Sequence, residues 1–196
     1  MLRRTMRSIV WLLAGFFATS VHAQDRVQVL LDTELGEIEV EVDGAKAPGT
    51  VANFLRYVDE KFYDGGQFHR TVTMHNQPNN DVKIEVVQAS VNEAKKDDES
   101  EPIPLERTTQ TGLLHKDGTI SMARGEPDSA TSSFFFCIGD QPELDFGGAR
   151  NPDGQGFAAF GRITRGMDVV KKIQTSPHEE QRLSPPVRIR SVSRIR

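Results

Sequence analysis

The chain has 196 residues, 37% hydrophobic and 27% charged, with 16 Gly and 10 Pro; these proportions suit one ordinary globular domain and exclude a collagenous, coiled-coil or disordered chain. The formal charge is −4, which argues against a general binder of nucleic acid or anionic membrane, since both need a basic face. A single cysteine, Cys137, excludes an intramolecular disulfide.

The first 23 residues stand apart from the rest. Arg3, Arg4 and Arg7 precede an apolar run, residues 9–21, that is too short for a permanent membrane helix, and Val21-His22-Ala23 offers small residues at the spacing a signal peptidase reads. Residues 1–23 are therefore expected to be a removed signal peptide, residues 24–196 the mature domain, and the destination a bacterial periplasm. No Cys near the cut could carry a lipid, so no stable membrane anchor is expected. Removal of the three arginines leaves 21 Lys plus Arg against 28 Asp plus Glu, a formal charge of −7. The basic residues at the end, Arg188, Arg190, Arg194 and Arg196, read as a solvated strand face, with no nucleic-acid partner implied.

The mature chain opens with an aliphatic run at residues 27–33, a turn at Glu34-Leu35-Gly36 and an acid/aliphatic alternation over residues 37–42, which together read as a β-hairpin. Pro48 starts a helix whose Val51, Phe54, Leu55 and Val58 share one face. Residues 67–72 read as a strand, residues 73–81 as a polar exposed loop or hairpin tip, and residues 82–90 as a strand with Ile84, Val86 and Gln88 on one face. The acidic residues 97–101 read as a solvated loop. Further strands are expected at residues 119–123, 133–138, 157–163 and 186–192, and a second helix at residues 166–173. Many short strands and two helices point to a closed antiparallel β-barrel with its ends covered by the helices.

Motifs for phosphate cradling, dinucleotide binding, zinc proteolysis, the nucleophile elbow and dithiol redox chemistry are absent. The mature histidines, His69, His75, His115 and His178, are scattered and imply no metal. Cys137 reads as small buried filler. Three consecutive phenylalanines cannot all face inward from one strand: Phe134 and Phe136 share one face and Phe135 takes the other, so if the outer two fill the barrel, Phe135 is left outside. An outward Phe135 is either packing under a loop or the floor of an apolar pocket, and Arg70 is either a surface cation or a donor aimed into that pocket.

Phe68-His69-Arg70, then Gln88, then Pro127-Asp128-Ser129-Ala130-Thr131-Ser132 before paired Phe, then Phe160-Gly161-Arg162-Ile163 before Gly166-Met167-Asp168, together resemble a cyclophilin-type peptidyl-prolyl cis-trans isomerase. Leu35-Gly36 and Ala47-Pro48-Gly49-Thr50-Val51-Ala52-Asn53-Phe54 fit the same pattern, which spans almost all of residues 26–192. The resemblance implies a mainly β, closed eight-stranded antiparallel barrel capped by two α-helices, with a substrate groove on its outer surface. It implies Arg70, Gln88 and Phe135 as catalytic residues, and Phe68, Val86, Ala123, Leu144 and Phe157 as substrate-binding residues. It further implies isomerisation of X-Pro bonds in exported proteins by a monomer acting on Pro-containing polypeptides, with no metal and no cofactor. The alternative is a low-activity binding module or chaperone for Pro-containing segments. Period-2 alternation places Phe68 with Arg70, and Val86 with Gln88.

The sequence departs from the family pattern in several places. About ten extra residues, centred on 73–81, separate Arg70 from Gln88, and Ala89-Ser90 follows Gln88 where Gly-Gly is usual. Ser133 replaces a frequent Gln, and Phe157 replaces a His common in some members. Glu85 and Glu143 stand at positions often aromatic, which suggests acidic groove margins suited to a basic or polar residue near proline.

Overall fold

The computed structural model describes residues 26–195; the signal-peptide reading of residues 1–23 and the terminal Arg196 lie outside them. Strands β1 (Arg26–Thr33) and β2 (Gly36–Asp43) form the opening hairpin, followed by helix α1 (Pro48–Asp59), β3 (Gln67–Val72), β4 (Val86–Ser90), α2 (Thr108–Thr111), β5 (Thr119–Met122) and β6 (Phe134–Cys137). The chain continues through β7 (Ala158–Arg165), α3 (Met167–Gln174), the two-residue β8 (His178–Glu179) and β9 (Arg182–Arg194). The strand order is β1-β2-β7-β5-β6-β4-β3-β9, and β9 pairs back onto β1, so eight antiparallel strands close into a barrel while β8 only extends the start of β9. Closure removes the unpaired edges an open sheet would present.

The two expected helices are present. A third, α2, has four residues, too few to show a periodic stripe, and ends at Gly112 in the left-handed conformation (φ 68°) that glycine adopts without strain. The strand expected at residues 82–90 pairs only from Val86 onward, because the preceding residues belong to the turn-rich insertion. Among the described residues no helix is long and apolar enough to cross a membrane.

Two apolar clusters form on opposite faces of the sheet. The barrel interior holds Leu31, Ile38, Val40, Phe54, Phe68, Val87, Ala89, Ile120, Phe134, Phe136 and Phe160 among others. Phe134 meets Phe54, Tyr63 and Phe136 edge to face at 5.4–5.7 Å. The second cluster, Val72, Ile84, Val86, Phe135, Cys137 and Leu144 with Ala123 and Phe157 against it, lies outside the barrel wall. The Phe134–Phe135–Phe136 alternation is therefore as the period of two requires.

Two carboxylates that the sequence pattern does not single out fasten this frame. The α1 N-terminus has no side-chain cap of its own. Glu106, from 57 residues downstream, accepts from Gly49 N (3.0 Å), and its other oxygen accepts from Thr50 N (2.7 Å), placing negative charge on free amides at the positive end of the helix. Glu99, read from sequence as part of a solvated loop, instead anchors the segment leading into β6: it accepts from the Ser132 hydroxyl, from Thr131 Oγ1 (3.1 Å) and from Lys96 Nζ (2.9 Å).

Burial alone would raise the Glu99 carboxyl, but the bonds from Ser132, Lys96 and Thr131 outweigh it and hold it below the usual carboxylate range. A carboxylate held low in the folded state stabilises the protein above its unfolded pKa, and that contribution is lost as pH falls through the folded value. Glu99→Gln is expected to lower the unfolding free energy by about 1–3 kcal/mol at neutral pH. In urea titrations across pH, its deficit relative to the parent should shrink once the pH drops below about 4.

Candidate active site

The barrel register brings the three expected catalytic residues into one lateral row. Arg70 of β3 pairs with Gln88 of β4, Gln88 pairs with Phe135 of β6, and Phe135 pairs with Ser121 of β5. Neighbouring strands lie ~4.8 Å apart, so the row spans a few side-chain widths on one surface.

Arg70 faces outward because β3 carries a bulge. The ladder to β4 steps from Phe68↔Ala89 to Arg70↔Gln88, leaving His69 as an extra residue, and the ladder to β9 shifts at the same point. Alternation is broken there, so the expectation that Phe68 shares a face with Arg70 and borders substrate is corrected: Phe68 is fully buried in the barrel, 6.1 Å from Phe136 and 6.2 Å from Phe134. The bulged His69 has an unpartnered, buried Nδ1, and burial followed by the Arg70 charge lowers its proton affinity.

Three of the five guanidinium hydrogens of Arg70 are taken by two side-chain amides. Nη1 donates to Gln88 Oε1 (3.0 Å), while Nε (3.0 Å) and Nη2 (2.6 Å) both donate to Gln181 Oε1. Among the described residues, one N–H on each of Nη1 and Nη2 has no partner. Gln181 lies in the turn between β8 and β9 and is itself held by the insertion: its Nε2 donates to Asn76 O (3.1 Å), and Asn76 Nδ2 donates to Glu180 O (2.9 Å) and Thr71 O (3.0 Å). The sequence reading misses Gln181, whose partner is 111 positions away and which sits in no periodic pattern.

Beside the guanidinium is a hollow of about 210 Å³ lined by Arg70, Ile84, Val86, Gln88, Ala123, Phe135, Leu144 and Phe157, with Arg124, Arg150 and Asn151 also at its margin. Val86, Ala123, Leu144 and Phe157 thus line the same hollow as Arg70, Gln88 and Phe135. Its volume is below the roughly 300–1,000 Å³ of small-molecule sites and suits one side chain. A larger concavity of about 930 Å³ lies between the insertion and the β8–β9 turn; its lining is rich in amides and lacks the Phe135 floor.

Phe135 is fixed from behind. The buried His115 ring stacks on it at 6.1 Å with a 14° interplanar angle, and Phe157 meets it edge-on at 5.5 Å. His115 Nδ1 bonds Asp145 Oδ1 (2.7 Å) and its Nε2 bonds Ser121 Oγ (2.9 Å). This Ser–His–Asp chain is not a hydrolytic triad, since Ser121 has no exposure and no substrate could reach its oxygen. Cys137 is also buried, and burial pushes its thiol far above the range in which a thiolate forms. Among the described residues no three His, Cys, Asp or Glu side chains are grouped so as to hold a metal ion.

The fold and this site can be set beside known proteins. A family model described as cyclophilin type peptidyl-prolyl cis-trans isomerase/CLD matches residues 27–194. A peptidyl-prolyl cis-trans isomerase of Acinetobacter baylyi is 36% identical over 169 residues, covering 86% of this chain and 82% of that protein. Peptidyl-prolyl cis-trans isomerase A of Dickeya dadantii is 35% identical over 175 residues, covering 88% and 85%. A crystal structure of a Cryptosporidium parvum cyclophilin type peptidyl-prolyl cis-trans isomerase superposes with a TM-score of 0.69 at 16% identity, over 87% of this chain and 98% of that one. The chain belongs to the cyclophilin family of peptidyl-prolyl cis-trans isomerases. It is an enzyme of proline-containing peptides whose reaction needs no cofactor.

Proposed function

We propose that Arg70 is the catalytic donor of this isomerase, with Gln88 and Phe135 as its partners at the substrate, and that the enzyme works as a monomer in the periplasm on exported proteins. The observation that carries this reading is the row Arg70–Gln88–Phe135, with two free guanidinium hydrogens beside an apolar hollow of one-residue size. Export is supported by the basic start, the short apolar run and the small-residue cut in residues 1–23.

The chemistry follows from the amide. Conjugation of the nitrogen lone pair opposes rotation with a barrier of ~18–20 kcal/mol, and uncatalysed X-Pro exchange takes tens to hundreds of seconds. As the bond twists, the prolyl nitrogen loses conjugation, becomes pyramidal and gains basicity. A fixed N–H of Arg70 then bonds it more strongly than it bonds the planar ground state, which is what lowers a barrier. The proline ring seated on Phe135, with Val86, Ala123, Leu144 and Phe157 around it, is the stationary end about which the preceding carbonyl turns. Gln88 and Gln181 restrict the guanidinium to one orientation before substrate arrives, so less ordering remains to be done in the transition state. No proton is transferred and no nucleophile is needed, so the buried Ser121 and Cys137 take no part.

Mature protein should accelerate exchange of an unstructured X-Pro peptide in two-dimensional NMR exchange spectra. Arg70→Ala is expected to lower kcat/KM by about 10- to 100-fold, the equivalent of one hydrogen bond from a charged donor, with an unchanged unfolding midpoint; full activity in that variant overturns the assignment. Gln181→Leu should lower kcat about three- to tenfold with little change in KM, and Gln181→Glu, which restores an acceptor, should recover part of the loss. In cells fractionated into periplasm and cytoplasm, the protein is expected in the periplasmic fraction with its N-terminus at Gln24 by Edman sequencing, and recovery from the cytoplasm with Met1 intact would remove the export reading.

A further inference from the structure

Among the described residues three arginines border the hollow, and one of them, Arg124, has its charge matched. Arg124 donates to both oxygens of Asp153 (2.8 and 3.0 Å), to Gly156 O (2.8 Å) and to Gly125 O (2.9 Å), and its guanidinium lies 5.0 Å from the centre of the Phe157 ring. It is a closed part of the wall. Arg70 and Arg150 make no ion pair among the described residues. Their bonds go to neutral carbonyl groups, which satisfy hydrogens without cancelling charge.

Arg150 is held at the rim by a buried part of the insertion. Its Nη1 donates to Gln77 Oε1 (2.9 Å) and Val82 O (2.7 Å), which leaves both hydrogens of Nη2 and the one on Nε for another partner. Gln77 is 1% exposed and cannot easily shift: its Nε2 donates to Thr73 O (2.7 Å) and Ile84 O (2.8 Å), and its Oε1 also accepts from Ile84 N (3.3 Å). The two acids that the sequence reading placed at the groove margins are engaged elsewhere. Glu85 Oε1 accepts from Gln174 Nε2 (3.2 Å), Glu143 Oε2 accepts from Ala149 N (2.8 Å), and no carboxylate lines the hollow. Burial weakens the proton hold of both free guanidiniums, and the Arg150 charge weakens that of Arg70 further. Two partly desolvated like charges bordering one hollow are relieved by an anion placed at its rim, beside the seated proline.

We propose that Arg150, with the free edge of Arg70, forms a subsite for an acidic side chain of the substrate, so that this isomerase selects prolines with Asp or Glu immediately before or immediately after them. This deepens the reading of the hollow as the proline site and rests on it. The preference is the reverse of the basic one suggested by Glu85 and Glu143.

The test is NMR exchange spectroscopy on peptides of one sequence that carry Glu, Gln or Lys immediately before or immediately after proline. The Glu peptide in one of the two positions is expected to show a kcat/KM about tenfold above its Gln counterpart, with the Lys peptide below both. The gap should contract at about 1 M salt, where the screening length is about 3 Å. Arg150→Gln should bring the Glu-to-Gln ratio close to one, and Arg150→Lys should retain part of it, which separates loss of charge from disturbance of the insertion. Equal rates for Glu, Gln and Lys peptides in the parent overturn the proposal, as does a preference that survives in Arg150→Gln. If Arg70→Ala retains full activity, the underlying proline-site reading fails; if Arg70→Ala is inactive while the parent ignores charge, only the acidic subsite fails.

Discussion

One extra backbone residue, His69 in β3, governs the direction of the Arg70 guanidinium. An unbroken strand would put Phe68 and Arg70 on the same face, forcing either a charge into the aromatic core or a core phenylalanine into solvent. The bulge lets Phe68 pack against Phe134 and Phe136 while Arg70 emerges on the outer surface. From there the register is fixed: Gln88 must lie beside Arg70, Phe135 beside Gln88, and Ser121 beside Phe135. The stacked His115, the Asp145 acceptor and the apolar cluster outside the barrel then hold the aromatic floor to which that cation is adjacent.

The insertion is a brace built from two amides. Asn76 offers its carbonyl to Gln181, which grips Arg70, and Gln77 offers its side-chain oxygen to Arg150. Residues 73–81 look like polar loop, yet Gln77 is as buried as the core because its amide completes hydrogen bonds that the turn leaves open at Thr73 and Ile84. Neutral acceptors of this kind orient a guanidinium without quenching it, so the positive potential at the groove is preserved for a bound chain.

What the sequence made legible follows from local periodicity. The split between Phe134, Phe136 and Phe135 follows from strand alternation, and the stripe Val51, Phe54, Leu55, Val58 follows from helical spacing. Ordered motifs single out Arg70, Gln88 and Phe135, and the strand register sets them side by side. The Phe68 error arose because a bulge leaves no mark in a pattern of side-chain types. Glu99, Glu106 and Gln181 were invisible for another reason: each acts on a partner between 32 and 111 positions away, and single polar residues carry no signal of distant hydrogen bonds. Glu85 and Glu143 show the converse, since acids near the groove in sequence give no sign that one oxygen of each accepts a bond from Gln174 or Ala149.

Strand β9 lies between β1 and β3, hydrogen-bonded to both. The two strands it joins are both made before it. Until β9 emerges, both neighbours are open ribbons, and the aromatic interior has a gap along the whole length of the wall. Closure of the barrel therefore waits on the segment from Arg182 onward, since a shorter chain lacks the strand that joins β1 to β3.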